Sequence, residues 1–268
     1  QKTTQGYGSM AFRLLSEESV EDGVARIARE QIDKATGEID DPDLDCHETV
    51  HQVRKRGKKI RGLIRLVRPQ FEETYELEND WYRDSARSLS YVRDAQSIME
   101  TLDELMAHFE EQIEHDAFAP IRETLAQRRR EVAEDEVGVR ARLDDFHERM
   151  QLGRERVAGW RLANDGFSAV AGGLTKTYKR GRKAMQEAYR NPCTVTFHEW
   201  RKRAKYHWYH LRLLREIWED PVKAQRDEAD RLGDYLGDDH DLSMLRSTVL
   251  RNPEAFPDEE TVEALTGL

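Results

Sequence analysis

The sequence predicts an all-α protein: two pseudo-symmetric four-helix bundles with a basic groove or pore between them. Three observations predict it. Apolar residues recur at three- and four-residue spacing through most of the 268-residue chain, the period of helices with one buried stripe. Two-residue alternation of the β kind is hard to find, and only seven prolines interrupt the chain. Finally, a long segment repeats. HQVRKRGKKIRGLIRLVR from His51 returns as HEWRKRAKYHWYHLRLLR from His198, so that His51, Arg54, Lys55, Arg56, Lys58, Arg65 and Arg68 recur 147 residues later. LSYVRDA from Leu89 and LGDDHDL from Leu236 keep the same offset, which matches Asp94 with Asp241. A shared offset at two separated segments marks an internal repeat. The expected division is a tail over 1–15 and repeats over 16–150 and 151–268.

Residues 1–9, QKTTQGYGS, are read as a remnant ahead of a natural start at Met10. The first helix is expected from Ser16 to Thr36, with Ser16 as cap, Glu17 and Glu18 in the first turn and Gly37 at its end. Val20, Val24, Ile27, Ala28 and Gln31 form its inner stripe. After the loop DDPDLD comes the basic helix, stopped near Pro69. A third helix, Phe71 to Ser90, opens on Glu72, Glu73, Glu76, Glu78 and Asp80. Acids there suit the helix dipole and are placed to screen the rim of the basic helix. The fourth, Tyr91 to His115, buries Ile98, Met99, Leu102, Leu105, Met106, Phe109 and Ile113. Pro120 starts a long charged helix to Met150, whose thin stripe of Leu125, Val132, Val139 and Phe146 predicts a single packing seam.

Gly153 and Gly159 punctuate a connector to the second half. A helix from Asn164 or Asp165 is expected to bury Phe167, Val170, Ala171, Leu174, Tyr178, Met185 and Ala188, and to break at Asn191-Pro192. The repeated basic helix follows. Asp220-Pro221 starts a helix ending near Gly237, Asp239 to Leu250 forms another, and a short helix from Asp258 finishes the chain.

The chemistry of the sequence lies in its charge. The formal net charge is -10, yet His51–Arg68 carries eight basic side chains and no carboxylate. At about 100° per residue, Arg54, Lys55, Lys58, Arg61 and Arg65 fall within roughly 80° of His51, and Val53, Ile60, Ile64 and Val67 gather near the opposite face. The second row is His198, Arg201, Lys202, Lys205 and Arg212. A third acid-free run, Lys176, Lys179, Arg180 and Lys183, lies opposite the buried side of its helix. Crowded like charges destabilise a helix, and a polyanion is the simplest compensation. A helix of about 18 residues is roughly 27 Å long, so a long repetitive anion fits better than a small one. A nucleic-acid backbone and a linear inorganic phosphate polymer both qualify. Trp208 and Tyr209 keep the nucleic-acid reading open, while the acidic total argues against a general nucleic-acid coat. The plainer alternative for each run is a solvated face neutralised by neighbours.

His51 and His198 read as phosphate donors, or as helix-end histidines that cap local backbone or bond a carboxylate such as Asp94 or Asp241; the two readings are compatible. His47 with His51, and His207 with His210, share helical faces, but no tight Cys/His cluster completes a metal site. No nucleophile elbow, phosphate-cradling glycine loop or telling carboxylate pair is present. The expectation is therefore a binding module without enzyme activity, metal or cofactor, against the alternative of a phosphate-processing or metal-dependent enzyme. No run of 18 apolar residues suggests a membrane span, and no apolar leader marks secretion. Cys46 and Cys193 read as thiols in a reducing cytoplasm, with a disulfide between the halves as the alternative.

The patterns HxxRKRxKxxR and HxxRKRxK, the LSYVRDA and LGDDHDL segments, and TKTYKRGRKAM ahead of the second basic helix together resemble the CHAD domain, the conserved histidine α-helical domain. The resemblance spans about residues 16–250. It implies two four-helix bundles about a pseudo-twofold and a basic central pore that binds inorganic polyphosphate. It implies no enzyme activity and an association with polyphosphate granules. Carried over, the binding residues are His51, Arg54, Lys58, Arg61 and Arg65, then His198, Arg201, Lys205 and Arg212, with Lys176, Lys179, Arg180 and Lys183. This sequence departs from an even repeat where Trp208 stands opposite Arg61 and His240 opposite Arg93.

Overall fold

The computed structural model describes residues 12–71, 74–110, 118–252, 255–256, 262–263 and 265. Among them the regular structure is all helical: α1 (Val20–Asp40), α2 (Cys46–Leu66), α3 (Thr74–Arg87), α4 (Ser90–His108), α5 (Ala119–Glu134), α6 (Glu136–Val157), α7 (Gly166–Arg190), α8 (Thr194–Leu213) and α9 (Glu219–Leu250), with a 3-10 turn at Arg68–Gln70.

α2 folds despite its charge because its other face is mostly apolar, with Lys59 the one charged side chain buried on it. Val50, Val53, Ile60, Leu63 and Ile64 are fully buried. Each contributes about 1.5–3 kcal/mol, whereas an adjacent like-charge pair costs only about 0.2–0.5 kcal/mol. Asp45 caps its start by accepting from the Glu48 amide at 2.8 Å. α1, α3 and α6 pack around α2 to form the first bundle, and the same core runs on into α7 and α8 through Val170, Tyr209, Leu213 and Leu214.

Two glycines let other helices reach α2. A Cβ on Gly173 of α7 would lie 1.8 Å from the Leu66 carbonyl oxygen. A Cβ on Gly62 would lie 3.0 Å from that of Tyr209 in α8, and His210 meets the Gly62 carbonyl at 3.1 Å. Gly62 and Tyr209 are separated by the repeat offset itself, so the two basic helices cross at corresponding positions.

Several boundaries differ from expectation. α1 is capped by Ser19, not Ser16, and runs through Gly37. The long helix from Pro120 is broken at Asp135, whose carboxylate caps α6 through the Gly138 amide. Its seven-residue stripe consequently serves two cores. Leu125 joins α4 and the end of α9, while Val139 and Phe146 join the α1–α2 core. α6 continues past Gly153 to Val157, beyond the expected division at 150. Phe167 and Tyr178, expected inside, are 62% and 51% exposed. The two helices expected around Gly237 are one, α9, which spans the sequence equivalent of both α3 and α4. In the second half α7 and α8 pack against α2, and α9 packs against α8 and α4. Ile113 and most of the helix expected from Asp258 lie outside the described residues. Cys46 and Cys193 form no disulfide with each other.

Candidate anion-binding site

Three neighbouring cations gather around Lys58. Arg54 precedes it on α2, Arg93 stands on α4 and Arg201 on α8, with Asp94 opposing them. Solvent reaches the Lys58 side chain, yet enclosure by protein, reinforced by those guanidiniums, pushes its pKa down to about 8. Arg54 is anchored by donating to the Ala86 carbonyl at 2.9 Å. Arg201 carries a buried Nε with no acceptor. The rows of α2 and α8 therefore approach each other at Lys58 and Arg201.

Three acids reach this cluster: Glu100, which pairs with Arg93 at 2.7 Å, Asp94 and Asp241. Burial raises the Asp94 pKa, against the pull of Arg54, His240 and Lys58. Burial acts the same way on Asp241, but a hydrogen bond from His240 at 2.8 Å and the charge of Arg201 hold it below the usual range. His240, not His198, is thus the partner of Asp241. His198 packs on the His240 ring at 4.9 Å between centroids. Burial, and then Arg93 for His51 and His240 for His198, lowers both histidines. Among the described residues neither hydrogen-bonds Asp94 or Asp241, so the carboxylate alternative for these two histidines is not the one the structure shows. The described residues contain no cluster that could hold a metal ion, and His210 is buried against the Gly62 carbonyl rather than paired with His207.

Further along α2 the row turns toward α7. Arg61 donates to Asn79 at 3.3 Å. Arg65 bonds the Tyr75 hydroxyl and lies over the Tyr206 ring at 4.3 Å. Arg68 stacks on Tyr75 at 4.3 Å. Lys176, Arg180 and Arg203 join Arg65 and Arg68 around one cavity. Burial, then the charges of Arg203 and Arg68, lowers the Arg180 pKa. Lys179 lines a shallower surface depression beside it. Lys183, exposed further along α7, lines neither.

The α8 row is less available than repetition suggested. Lys202 pairs with Glu199 at 2.6 Å and Lys205 with Asp234 at 3.2 Å. Arg212 lies over Trp208 at 4.7 Å and Phe12 at 5.6 Å, away from the α7 cavity. Lys55 is exposed beside His51. The site residues that spacing missed are Arg93, His240, Arg68, Arg203, Tyr75 and Tyr206.

A family model described as the CHAD domain matches residues 26–250. The crystal structure of the CHAD domain from the plant Ricinus communis is similar with a TM-score of 0.62 and 15% identity, over 97% of this chain and 89% of that one. No curated protein matches.

Proposed function

The chain belongs to the CHAD family, and from that premise we propose that it binds inorganic polyphosphate along the α2 row, without turning it over. The observation that carries the reading is the gathering of Lys58, Arg54, Arg93 and Arg201, of which only Arg93 forms an ion pair among the described residues, with Glu100 at 2.7 Å. A phosphate chain supplies one charge per unit and relieves that repulsion wherever it touches. Guanidiniums meet phosphate oxygens with paired bonds, and lysines follow a flexible chain as point charges. Arg61 and Arg65 continue the line. Arg201 is offered from α8, with His51 and His198 at the mouth. Lys205 and Lys202 are weaker members, since each would first release a carboxylate. The pseudo-twofold relating the halves, the enclosed passage between them, and a cytoplasmic place at polyphosphate granules belong to the same proposal.

The test is a calorimetric titration with long polyphosphate, with single-stranded and duplex DNA as competitors. Tight, strongly salt-dependent binding, weak competition by DNA and no released phosphate are expected. Charge reversal by Lys58→Glu with Lys205→Glu should weaken binding at least ~10-fold, about one full contact of 1.5–3 kcal/mol at Lys58 with a smaller share from Lys205. An unchanged affinity would move the site elsewhere, and steady phosphate release would make the protein an enzyme.

A further inference from the structure

The cavity beside α7 differs from the rest of the row. Five cations surround it: Arg65, Arg68, Lys176, Arg180 and Arg203. Glu199 pairs with Arg203, and none of the other four has an ion pair among the described residues. Tyr75 and Tyr206 share the wall with Gly173 and Thr177 and fix Arg68 and Arg65 by stacking. Arg65 Nε is buried there with no acceptor. The space at its centre is small, about 20 Å³, room for one compact group rather than a length of chain. It adjoins an open depression that shares Lys176 and Arg180 and adds Lys179.

The corresponding place across the helix crossing is closed. At the repeat offset, Arg65 corresponds to Arg212, Arg203 to Arg56 and Tyr206 to Lys59. There Phe12 covers both Lys59 and Arg212 at 5.6 Å, and Glu38 takes Arg56. One of the two related places is filled by protein and the other is left open.

We propose that the Arg65–Arg68–Arg180–Arg203 cavity receives the terminal phosphoryl group of a polyphosphate chain, making it an end-recognition pocket. This deepens the polyphosphate reading and rests on it. A terminal phosphoryl presents three non-bridging oxygens and up to two charges, as a phosphomonoester does. An interior unit presents two oxygens and one charge. A dense set of guanidiniums around a small space favours the more charged group. The terminal group can enter by one mouth, whereas an interior unit must also lead the chain out again. The adjoining depression, with Lys176 and Lys179, receives the next units.

Tripolyphosphate, two of whose three units are ends, is the probe. In ³¹P spectra of the wild-type protein its terminal resonances should shift and broaden more than the central one. Lys176→Gln with Arg180→Gln changes two exposed side chains. It should weaken tripolyphosphate about 100-fold, two charge-assisted contacts at about tenfold each. Long polyphosphate, held mainly by interior contacts near Lys58, should lose less than about threefold. Equal losses for both probes, or a larger change in the central resonance, would make the cavity an ordinary mid-chain contact and overturn the proposal. Wild-type binding of tripolyphosphate through its ends, with no binding of the long chain, would retain the pocket and defeat the broader function.

Discussion

Binding of long polyphosphate at pH 8 should draw about half a proton from solution onto Lys58. Enclosure and the charges of Arg54, Arg201 and Arg93 hold its pKa at about 8, so about half of the ammonium groups are neutral at that pH. A phosphate chain beside it reverses the local potential and returns the pKa toward the ordinary 10.5. The protonated form binds, so affinity falls as pH climbs through 8, with a slope equal to the uptake. Uptake by this lysine should be near zero at pH 6 and approach one proton near pH 9. His51 and His198, held below their usual value, are neutral at pH 8 and silent there. A long chain has few titrating ends. Calorimetry in buffers of different ionisation enthalpy reads the uptake directly. Lys58→Arg keeps the charge at every pH and should abolish both uptake and slope while preserving affinity. Uptake that persists in Lys58→Arg, or wild-type binding with no uptake at pH 8, would refute the reasoning.

Gly173→Ala should destabilise the protein by 3 kcal/mol or about that, because its Cβ would meet the Leu66 backbone at 1.8 Å and nothing flexible can yield; urea unfolding measures it. His210 is fully buried with its pKa depressed to about 3, so the unfolded chain takes up a proton that the native state refuses. As pH drops from 6.5 toward 3 this histidine should remove at most about 1.4 kcal/mol of stability per pH unit, and His210→Gln should lessen the slope by that share, leaving the part due to His51, His198 and His207. Lys59 lies buried under Phe12 with its pKa lowered to about 7 by burial and then Arg56. Its folded value lies below its unfolded one, so stability rises with pH between 7 and 10.5. Lys59→Met should flatten that rise and add on the order of 2 kcal/mol at neutral pH, read as a higher Tm at pH 7 than the wild type and little difference at pH 10.

The basic rows were legible because the repeat offset survives in identical side chains from His51 to Arg68. Helix ends were less so. Gly37 faces open space and is tolerated inside α1, and Gly237 sits inside α9 where a Cβ would come within 3.6 Å of the Arg201 guanidinium. A glycine that ends a helix and one that makes room for a neighbour look alike in sequence. Arg93 and His240 each precede the matched aspartate, which was the available signal for them. Arg203 points about 140° away from His198 around α8, and only the packing of α7 against that flank brings it to the cavity. Phe12 lies in a stretch read as tail, so its place over Lys59 and Arg212 had no signal at all.

The molecule manages its crowded cations in three ways, and the way chosen decides what each can do. Carboxylates hold Arg56, Lys202 and Lys205. A phosphate reaching these must displace an anion already bonded, so the net gain is small. Aromatic rings hold Arg65, Arg68 and Arg212. Stacking leaves the charge intact and the edge donors free, so these guanidiniums are oriented before a ligand arrives. Depressed affinity for protons relieves Lys58 and Lys59, a relief that an incoming anion cancels. Charge counting alone would rank Lys202 beside Lys58 and Arg212 beside Arg65. The packing ranks Lys58 and Arg65 first, since both face the α2 row without a carboxylate bond, and sets Arg212 aside beneath Phe12.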